Sequence, residues 1–310
     1  MPSPSKIKRI LKKNKWIMEC YSVMTTWSKT LLYALSPVLL AKYHYVTTMG
    51  KKPNLKNPQS FDEKLMWLML YWRHPLKIQC ADKYAVRSYV IANGLGHILP
   101  ELLGLYEKSS EIDYDTLPDQ FVLKCTHGCG TNIICKSKAD LDWCEAKRKL
   151  DLWMKKDISK VGGEIHYASI KPRIICECYL DDMSGNIPTD YKVYCFHGKA
   201  HSTMVCSARN TGSAKFDHYD REWKNKLPYD KESLLSNRNI SKPEAYDEMI
   251  EAAERLAKPF PFVRIDFYSI RGKAVFGEMT FTPHGCADPD YPPAAQESLG
   301  KLIKLPEKLL

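Results

Sequence analysis

Arg264, Asp266 and Glu278 are charged residues inside two apolar stretches near the C-terminal end of the 310-residue chain. Acids in such stretches are costly to bury unless a cation or hydrogen-bond donors satisfy them. We predict a hairpin over residues 262–281, on which the two carboxylates can share Mg²⁺ with phosphate oxygens and water. The arginine points to the same face and can hold a phosphate or a substrate carboxylate bidentately. The alternative is the solvent-facing side of an antiparallel sheet.

Lys124 ends the apolar run Phe121–Leu123 and precedes a loop that contains Gly128 and Gly130. One lysine and several backbone N–H groups placed in this way can surround phosphates. An ordinary hairpin turn with a solvated lysine explains the local pattern equally well. The sequence contains neither G-x-x-x-x-G-K-[ST] nor G-x-G-x-x-G, so neither of the common phosphate-binding loops is expected.

Residues 174–180 form a third apolar run, and Lys192 lies in the next one, at residues 190–197. The backbone of a strand between two lobes can pair with the edge of an adenine ring, and Lys192 would then face the phosphates. Considered locally, the two runs indicate only a hydrophobic strand followed by a hairpin.

The elements around these residues indicate an α+β protein of stacked lobes. Ser60 and Glu63 form a capping-box pattern that predicts a helix reaching Trp72. Residues 209–240 are polar and predicted to be an irregular, mobile loop. Further helices are predicted over residues 79–92, 138–157 and 243–257 and from residue 293, and further strands over residues 131–135 and 200–208.

The net charge of +10 comes entirely from residues 1–56, which hold eleven Lys or Arg and one acid. A basic stretch confined to one end does not make the body of the protein a nucleic-acid-binding surface, so we expect no nucleic-acid partner. Residues 6–24 have a helical period with lysines on one face, which suits peripheral contact with an anionic membrane. The alternative is a helix whose apolar face packs on its own domain.

The sequence favours a cytoplasmic protein, and contact with the inner face of the membrane is a further possibility that it leaves open. The apolar run at residues 30–43 is too short to span a bilayer and is interrupted by Pro37 and Lys42. The first residues lack the continuous apolar region of a secretory signal. Eleven scattered cysteines fit reduced thiols better than a disulfide framework.

In this order the motifs resemble the ATP-grasp superfamily, and most closely its TupA-like branch, associated with teichuronopeptide and other bacterial surface polysaccharides. The resemblance covers about residues 40–300. Four phrases carry it, namely Asn54-Leu-Lys-Asn-Pro-Gln-Ser-Phe-Asp-Glu-Lys64, Ala81-Asp-Lys-Tyr-Ala-Val-Arg87, Lys124-x-x-His-Gly-x-Gly130 and Gly277-Glu-Met-Thr-Phe-Thr-Pro283.

The resemblance implies two α+β lobes that clasp ATP, preceded by a mostly helical segment. Residues 1–56 are predicted from their charge to be a basic amphipathic segment, followed by a helical pre-grasp region at 57–115, a small lobe at 116–180 and a large lobe with the metal site at 181–310. The implied nucleotide contacts are Lys83, Lys124, His127, Gly128, Gly130, the adenine hinge Glu177, Cys178 and Leu180, and Lys192.

The resemblance also implies a catalytic Arg264 that steadies an acyl-phosphate transition state, with Lys192 beside it. Asp266 and Glu278 would bind Mg²⁺. Thr280 stands where the family has an asparagine as third metal ligand, and its hydroxyl is a weaker oxygen donor.

The expected reaction is carboxylate–amine ligation with ATP, joining an amino acid or amine to a carboxylated sugar or glycan precursor. A sugar phosphotransferase using the same ATP site is the first alternative. A glycan-assembly binding protein with a degenerate site is the second.

Overall fold

A computed structural model describes residues 15–182, 187–208, 214–236 and 238–310, with side chains from residue 24 onward. Most of the basic amphipathic face predicted at residues 6–24 lies outside the described side chains. The described helices include none with the length and apolarity that a transmembrane span requires.

Five helices lie between Lys15 and Ala92, with a non-helical stretch at residues 50–60. Pro37 separates the first two helices, because proline can begin a helix but cannot continue one. The predicted capping box is present, with Ser60 and Glu63 each bonding the backbone of the other. The five helices are α1 (Lys15–Leu35), α2 (Pro37–Met49), α3 (Phe61–Tyr71), α4 (Pro75–Ala81) and α5 (Ala85–Ala92).

The prediction of one helix over residues 79–92 is wrong, because the chain breaks between α4 and α5. The Asp82 carboxylate accepts hydrogen bonds from the backbone N–H groups of Tyr84 and Ala85, which starts a new helix. The Lys83 amide instead donates to the carbonyl oxygen of Thr126, 3.2 Å away in the small lobe. The break therefore presents Lys83 to the space between the lobes.

The small lobe contains an antiparallel sheet with its own apolar core. The strand order is β1-β4-β2-β3, so β1, which comes from the region predicted as helical, is an edge strand of this sheet. Phe121, Leu123 and Leu150 are among its fully buried core residues. The elements are β1 (Leu102–Tyr106), β2 (Phe121–Cys125), β3 (Asn132–Cys135), α6 (Trp143–Met154), α7 (Ser159–Gly162) and β4 (Ile174–Cys178).

The large lobe is built on a six-stranded antiparallel sheet in the order β10-β9-β5-β6-β7-β8. One face is covered by α8, while helices α3 to α5 share its core. The elements are β5 (Asp190–Phe196), β6 (Lys199–Ser207), β7 (Lys215–Asp220), β8 (Lys226–Leu227), α8 (Tyr246–Ala257), β9 (Phe262–Ile270), β10 (Lys273–Thr280) and α9 (Pro293–Leu302).

The prediction that residues 209–240 are irregular throughout is also wrong, since β7 and β8 lie there. Part of the polarity that suggested a loop belongs to buried side chains of β7 that have partners. His218 Nδ1 lies 2.6 Å from a carboxylate oxygen of Asp230. Asp217 accepts hydrogen bonds from Lys226 and Ser236. Polar residues satisfied in this way can occupy a strand that an apolar pattern would not predict.

The predicted hairpin of β9 and β10 is present and contains a bulge at Gly277. Phe276 pairs with Phe267 and Glu278 with Asp266, so Gly277 is the extra residue. A Cβ atom added to Gly277 would lie 2.9 Å from the backbone oxygen of Asp266. The bulge therefore requires glycine, and it sets which face Glu278 occupies.

We predict that Gly277→Ala lowers the free energy of unfolding by about 1–3 kcal/mol, because its methyl group forces the two strands apart. Urea denaturation measures this difference. Gly96→Ala is the matched control, since its Cβ would make only an ordinary 3.4 Å contact with Ile91. Equal losses in the two variants would contradict the steric role of the bulge.

Candidate functional site

Two rows of polar side chains cross β5, β9 and β10 on one face of the large sheet. In the first row Lys192 pairs with Asp266, and Asp266 pairs with Glu278. In the second row, two residues along β9, Arg264 lies between Tyr194 of β5 and Thr280 of β10. Directly opposed residues in an antiparallel sheet share a face, so the register alone brings these side chains together.

Asp266 is the hub of this cluster and is almost fully buried. Arg264 grips it bidentately, with Nε and Nη2 at 2.7 and 2.8 Å from its two oxygens. The ammonium of Lys192 contacts Asp266 and lies 2.5 Å from a carboxylate oxygen of Asp190. Two cations therefore already face the carboxylate that was predicted to bind metal.

Glu278 is the second carboxylate of the cluster, and its side chain is 31% exposed. Lys83 Nζ lies 3.3 Å from one of its oxygens, and Arg264 Nη2 lies 3.8 Å from the other. Burial alone would raise the pKa of Glu278, but the charges of Lys83, Lys192 and Arg264 outweigh burial and lower its pKa to about 2. The carboxylate therefore remains ionised throughout the physiological pH range.

The residues present fit a magnesium ion that shares its shell with phosphate. Asp266 and Glu278 are directly opposed, which is the arrangement that lets two carboxylates converge on one hard cation. Among the described residues no group of three His, Cys, Asp or Glu side chains is placed to hold a metal. Such a two-carboxylate set suits Mg²⁺, which keeps waters and takes its remaining ligands from phosphates.

Lys83 connects this cluster to the loop between β2 and β3. Its Nζ donates to the carbonyl oxygen of Gly128 at 2.5 Å. A Cβ atom on Gly128 would lie 2.6 Å from the Ile158 side chain, and Gly130 has φ +68°, a conformation that favours glycine. The predicted Gly128 and Gly130 thus shape the loop, and Lys83 binds it directly.

Lys124 lies on β2, and its ammonium donates to Glu177 of β4 at 2.6 Å. Arg87 of α5 reaches the other oxygen of Glu177 at 3.1 Å and the carbonyl oxygen of Pro100 at 2.8 Å. Glu177, predicted as part of an adenine hinge, therefore holds two cations with its side chain. Through Arg87 it also ties α5 to the small lobe.

The hinge residues Cys178 and Leu180 both line a cleft of about 600 Å³ between the two sheets. The Cys178 amide donates to the carbonyl oxygen of Glu101 at 3.0 Å, so that N–H group is already satisfied. The cleft combines Lys124 with apolar walls and has Tyr268 of β9 on its large-lobe side. The apolar walls are formed by Pro100, Val122, Ile134, Tyr179, Ile187 and Pro188.

His127 is buried in the loop between β2 and β3 and contacts the end of α6 through one ring nitrogen. Its Nε2 lies 3.2 Å from the carbonyl oxygen of Trp153 near the end of α6, and the residue is 5% exposed. Burial lowers its pKa and keeps the ring neutral. The side chain therefore anchors the loop to α6, and a nucleotide contact at this position would use the backbone.

Two further side-chain groups, Glu164 and His284, lie near the cluster. Glu164 accepts a hydrogen bond from the Thr282 hydroxyl at 2.5 Å, and burial raises its pKa to about 7 despite that bond. His284 Nδ1 lies 2.7 Å from Asp288, and this hydrogen bond raises the pKa of His284. Glu164 belongs to no motif, and only the fold brings it beside the hairpin.

His284 and Asp288 line a second, small cavity, which Arg264 also borders. His284 has φ +48°, a strained conformation for a residue with a side chain. The Asp288 carboxylate is held by the backbone N–H of Asp290 as well as by the histidine. The cation cluster thus lies between the cleft that Lys124 lines and a cavity with a histidine–aspartate pair.

Two α+β lobes with this cation and carboxylate cluster between them define an ATP-grasp protein. Residues 63–304 match the family described as TupA-like ATPgrasp, and the chain belongs to that family. None of the curated proteins matches the sequence.

Solved structures similar to this chain include ligases, all at low identity. A D-alanine–D-alanine ligase from Bacillus anthracis complexed with ATP is 13% identical, with TM-score 0.38, over 66% of this chain and 54% of that one. An L-amino acid ligase from Bacillus licheniformis is 14% identical, with TM-score 0.40, over 65% and 42%. The chain thus spans about half the length of these two proteins. The family match carries the assignment of the fold.

We predict that Glu278→Gln lowers the free energy of unfolding at neutral pH by about 2 kcal/mol, because three cations lose a shared partner. The folded-state pKa of about 2 lies below the ordinary value of 4.5. The carboxylate's contribution is therefore complete above pH 4.5 and is lost as the pH falls toward 2.

Urea denaturation at several pH values should show the gap between wild type and Glu278→Gln narrowing below about pH 4.5. Glu251→Gln is the control, because that carboxylate is 74% exposed and lies 3.8 Å from its partner Arg255. A gap that stays constant down to pH 3 would contradict the electrostatic role of Glu278.

Proposed function

We propose that the protein is an ATP-dependent carboxylate–amine ligase that activates its carboxylate substrate as an acyl phosphate. The observation that carries this proposal is the position of Arg264. It belongs to the lysine and carboxylate cluster and also borders the cavity with the His284–Asp288 pair. A guanidinium between a phosphate-binding cluster and a second cavity suits transfer of a phosphoryl group onto a carboxylate.

In the proposed first step a substrate carboxylate oxygen attacks the γ-phosphorus of ATP, and ADP leaves. Asp266 and Glu278 would hold Mg²⁺, which would supply charge neutralisation at the phosphates. Lys83, Lys192 and Arg264 hold the phosphate oxygens and stabilise charge that develops on them. Positioning and charge neutralisation supply the catalysis, so no nucleophilic side chain is needed.

In the second step an amine attacks the acyl carbonyl, inorganic phosphate leaves and the attacking nitrogen gives up a proton. His284 is the proposed acceptor of that proton, since Asp288 binds its Nδ1 and orients the ring. The raised pKa of His284 makes the ring a stronger base than an ordinary histidine. This step rests on the ligase assignment.

The proposed substrates are an amino acid or amine and a carboxylated sugar of a bacterial surface polysaccharide. Membership of the TupA-like family supports this choice through the association of that branch with teichuronopeptide. Use of ATP would place the reaction in the cytoplasm. A sugar phosphotransferase and a binding protein without turnover are the competing functions.

The test is amine-dependent ADP release with glucuronate or galacturonate as acceptor and a panel of amino acids as amines. We expect ADP, inorganic phosphate and an amide, and we expect Glu278→Gln to reduce turnover at least about 100-fold. Glu251→Gln is the control and should retain wild-type turnover. Phosphate found on the sugar would favour the phosphotransferase, and absence of turnover with every pair would favour the binding protein.

We predict that His284→Gln lowers amide formation about 100- to 10,000-fold while acyl-phosphate formation continues. Hydroxylamine is largely unprotonated at neutral pH and needs no base, so hydroxamate formation should persist in the variant. Product analysis with each nucleophile separates the two steps. Equal losses with both nucleophiles would assign His284 to the first step or to the structure of the loop.

A further inference from the structure

The outer face of α1 and α2 exposes a continuous stripe of large apolar side chains. Seven of the fourteen exposed large hydrophobic residues in the described chain lie on these two helices, so the exposure is concentrated in one place. Trp27 is 74% exposed and Leu35 is 69% exposed. The full stripe is Met24, Trp27, Leu31, Leu35, Leu39, Tyr43 and Val46.

The spacing of the stripe is that of one face of a helix. Successive members are three or four residues apart within each helix, so they lie on one face of α1 and on one face of α2, with the extended residue Ser36 between the two helices. A contiguous apolar surface of this kind marks a contact with a partner or a membrane, whereas single exposed hydrophobic residues need no explanation.

The opposite face of α2 is fixed on the body of the protein. Leu40, Ala41 and Tyr45 are buried. A Cβ atom on Gly163 would lie 2.9 Å from the Cβ of Ala41, which shows how closely α2 approaches α7. The outward direction of the stripe therefore follows from packing, and the body of the protein does not cover it.

The positive charge of residues 1–56 indicates which kind of partner binds the stripe. Residues 1–56 carry the whole net charge of +10. Lys42 is exposed beside Tyr43, and Lys51, Lys52 and Lys56 are exposed just beyond α2. A second copy of the chain would bring two such basic segments together, which like-charge repulsion opposes. Anionic head groups complement them, and tryptophan and tyrosine suit the membrane interface.

We propose that the stripe on α1 and α2 docks the protein on an anionic lipid surface, with the helices lying in the plane of the interface. The apolar side chains enter the boundary between head groups and acyl chains, while the lysines contact phosphate. The proposal does not depend on the reaction that the enzyme catalyses.

The docking surface is also connected to the candidate site. His44 of α2 packs against the loop that carries His284 and Gly285. A Cβ atom on Gly285 would lie 2.9 Å from His44 Nε2. One helix thus has lipid-facing residues on one side and contacts the loop of the second cavity on the other. Docking would therefore fix the orientation of that cavity relative to the membrane.

Vesicle co-sedimentation of the full chain tests the proposal, with phosphatidylcholine alone and with added phosphatidylglycerol. We expect binding to the anionic vesicles only, weakened by high salt. The variant Trp27→Gln/Leu31→Gln/Leu35→Gln should bind at least about 100-fold more weakly, because three large side chains no longer enter the interface.

Ile91→Gln/Leu152→Gln is the matched control, since these helical residues are 60% and 53% exposed elsewhere on the surface. It should bind within about twofold of wild type. Circular dichroism melting verifies that both variants fold, and light scattering gives their mass. Absence of wild-type binding, or equal binding of both variants, would overturn the proposal. A dimer that the stripe variant dissociates would do the same and identify a second copy as the partner.

Discussion

The pairing register of β9 between β5 and β10 is the constraint on which the candidate site depends. It aligns Lys192, Asp266 and Glu278 across three strands and leaves Arg264 one row away. A slip of one residue would turn the β9 residues to the opposite face, into the apolar core under α8. The bulge at Gly277 belongs to the same constraint, because it keeps Glu278 opposite Asp266 on the face that the cations share.

Charge pairing within the protein stabilises this buried cluster in the absence of a ligand. Buried ions are costly unless they are paired, and each site cation has a carboxylate partner within the protein. Glu177 is the carboxylate partner of Lys124 in the small lobe, and Asp266 is the carboxylate partner of Lys192 in the large lobe. Carboxylates thus hold the site cations in place within the protein, where the proposed function would bring polyanionic phosphates.

Local patterns were sufficient to predict the hairpin and the capping box at Ser60, whereas the ATP-grasp fold was predicted from the resemblance of the ordered motifs to that superfamily. They were insufficient where tertiary contacts decide the structure. The helix break at Lys83 depends on a hydrogen bond to Thr126 in the other lobe. The polar strand β7 depends on partners for Asp217 that only the fold supplies. The roles assigned to individual nucleotide contacts remain predictions. At the hinge, the backbone N–H of Cys178 already donates to the carbonyl oxygen of Glu101.

The hydrogen bonds of Thr280 indicate a positioning role that the family pattern alone does not suggest. Its hydroxyl accepts a hydrogen bond from Arg264 Nη2 at 3.2 Å and donates to Glu278 at 3.3 Å. With a donor and an acceptor both engaged, it is placed to hold the arginine and the carboxylate in a fixed relation. An asparagine would offer a carbonyl oxygen to a metal instead. The threonine therefore links Arg264 to the second carboxylate, while its remaining lone pair leaves its role as a third, weaker metal ligand a prediction.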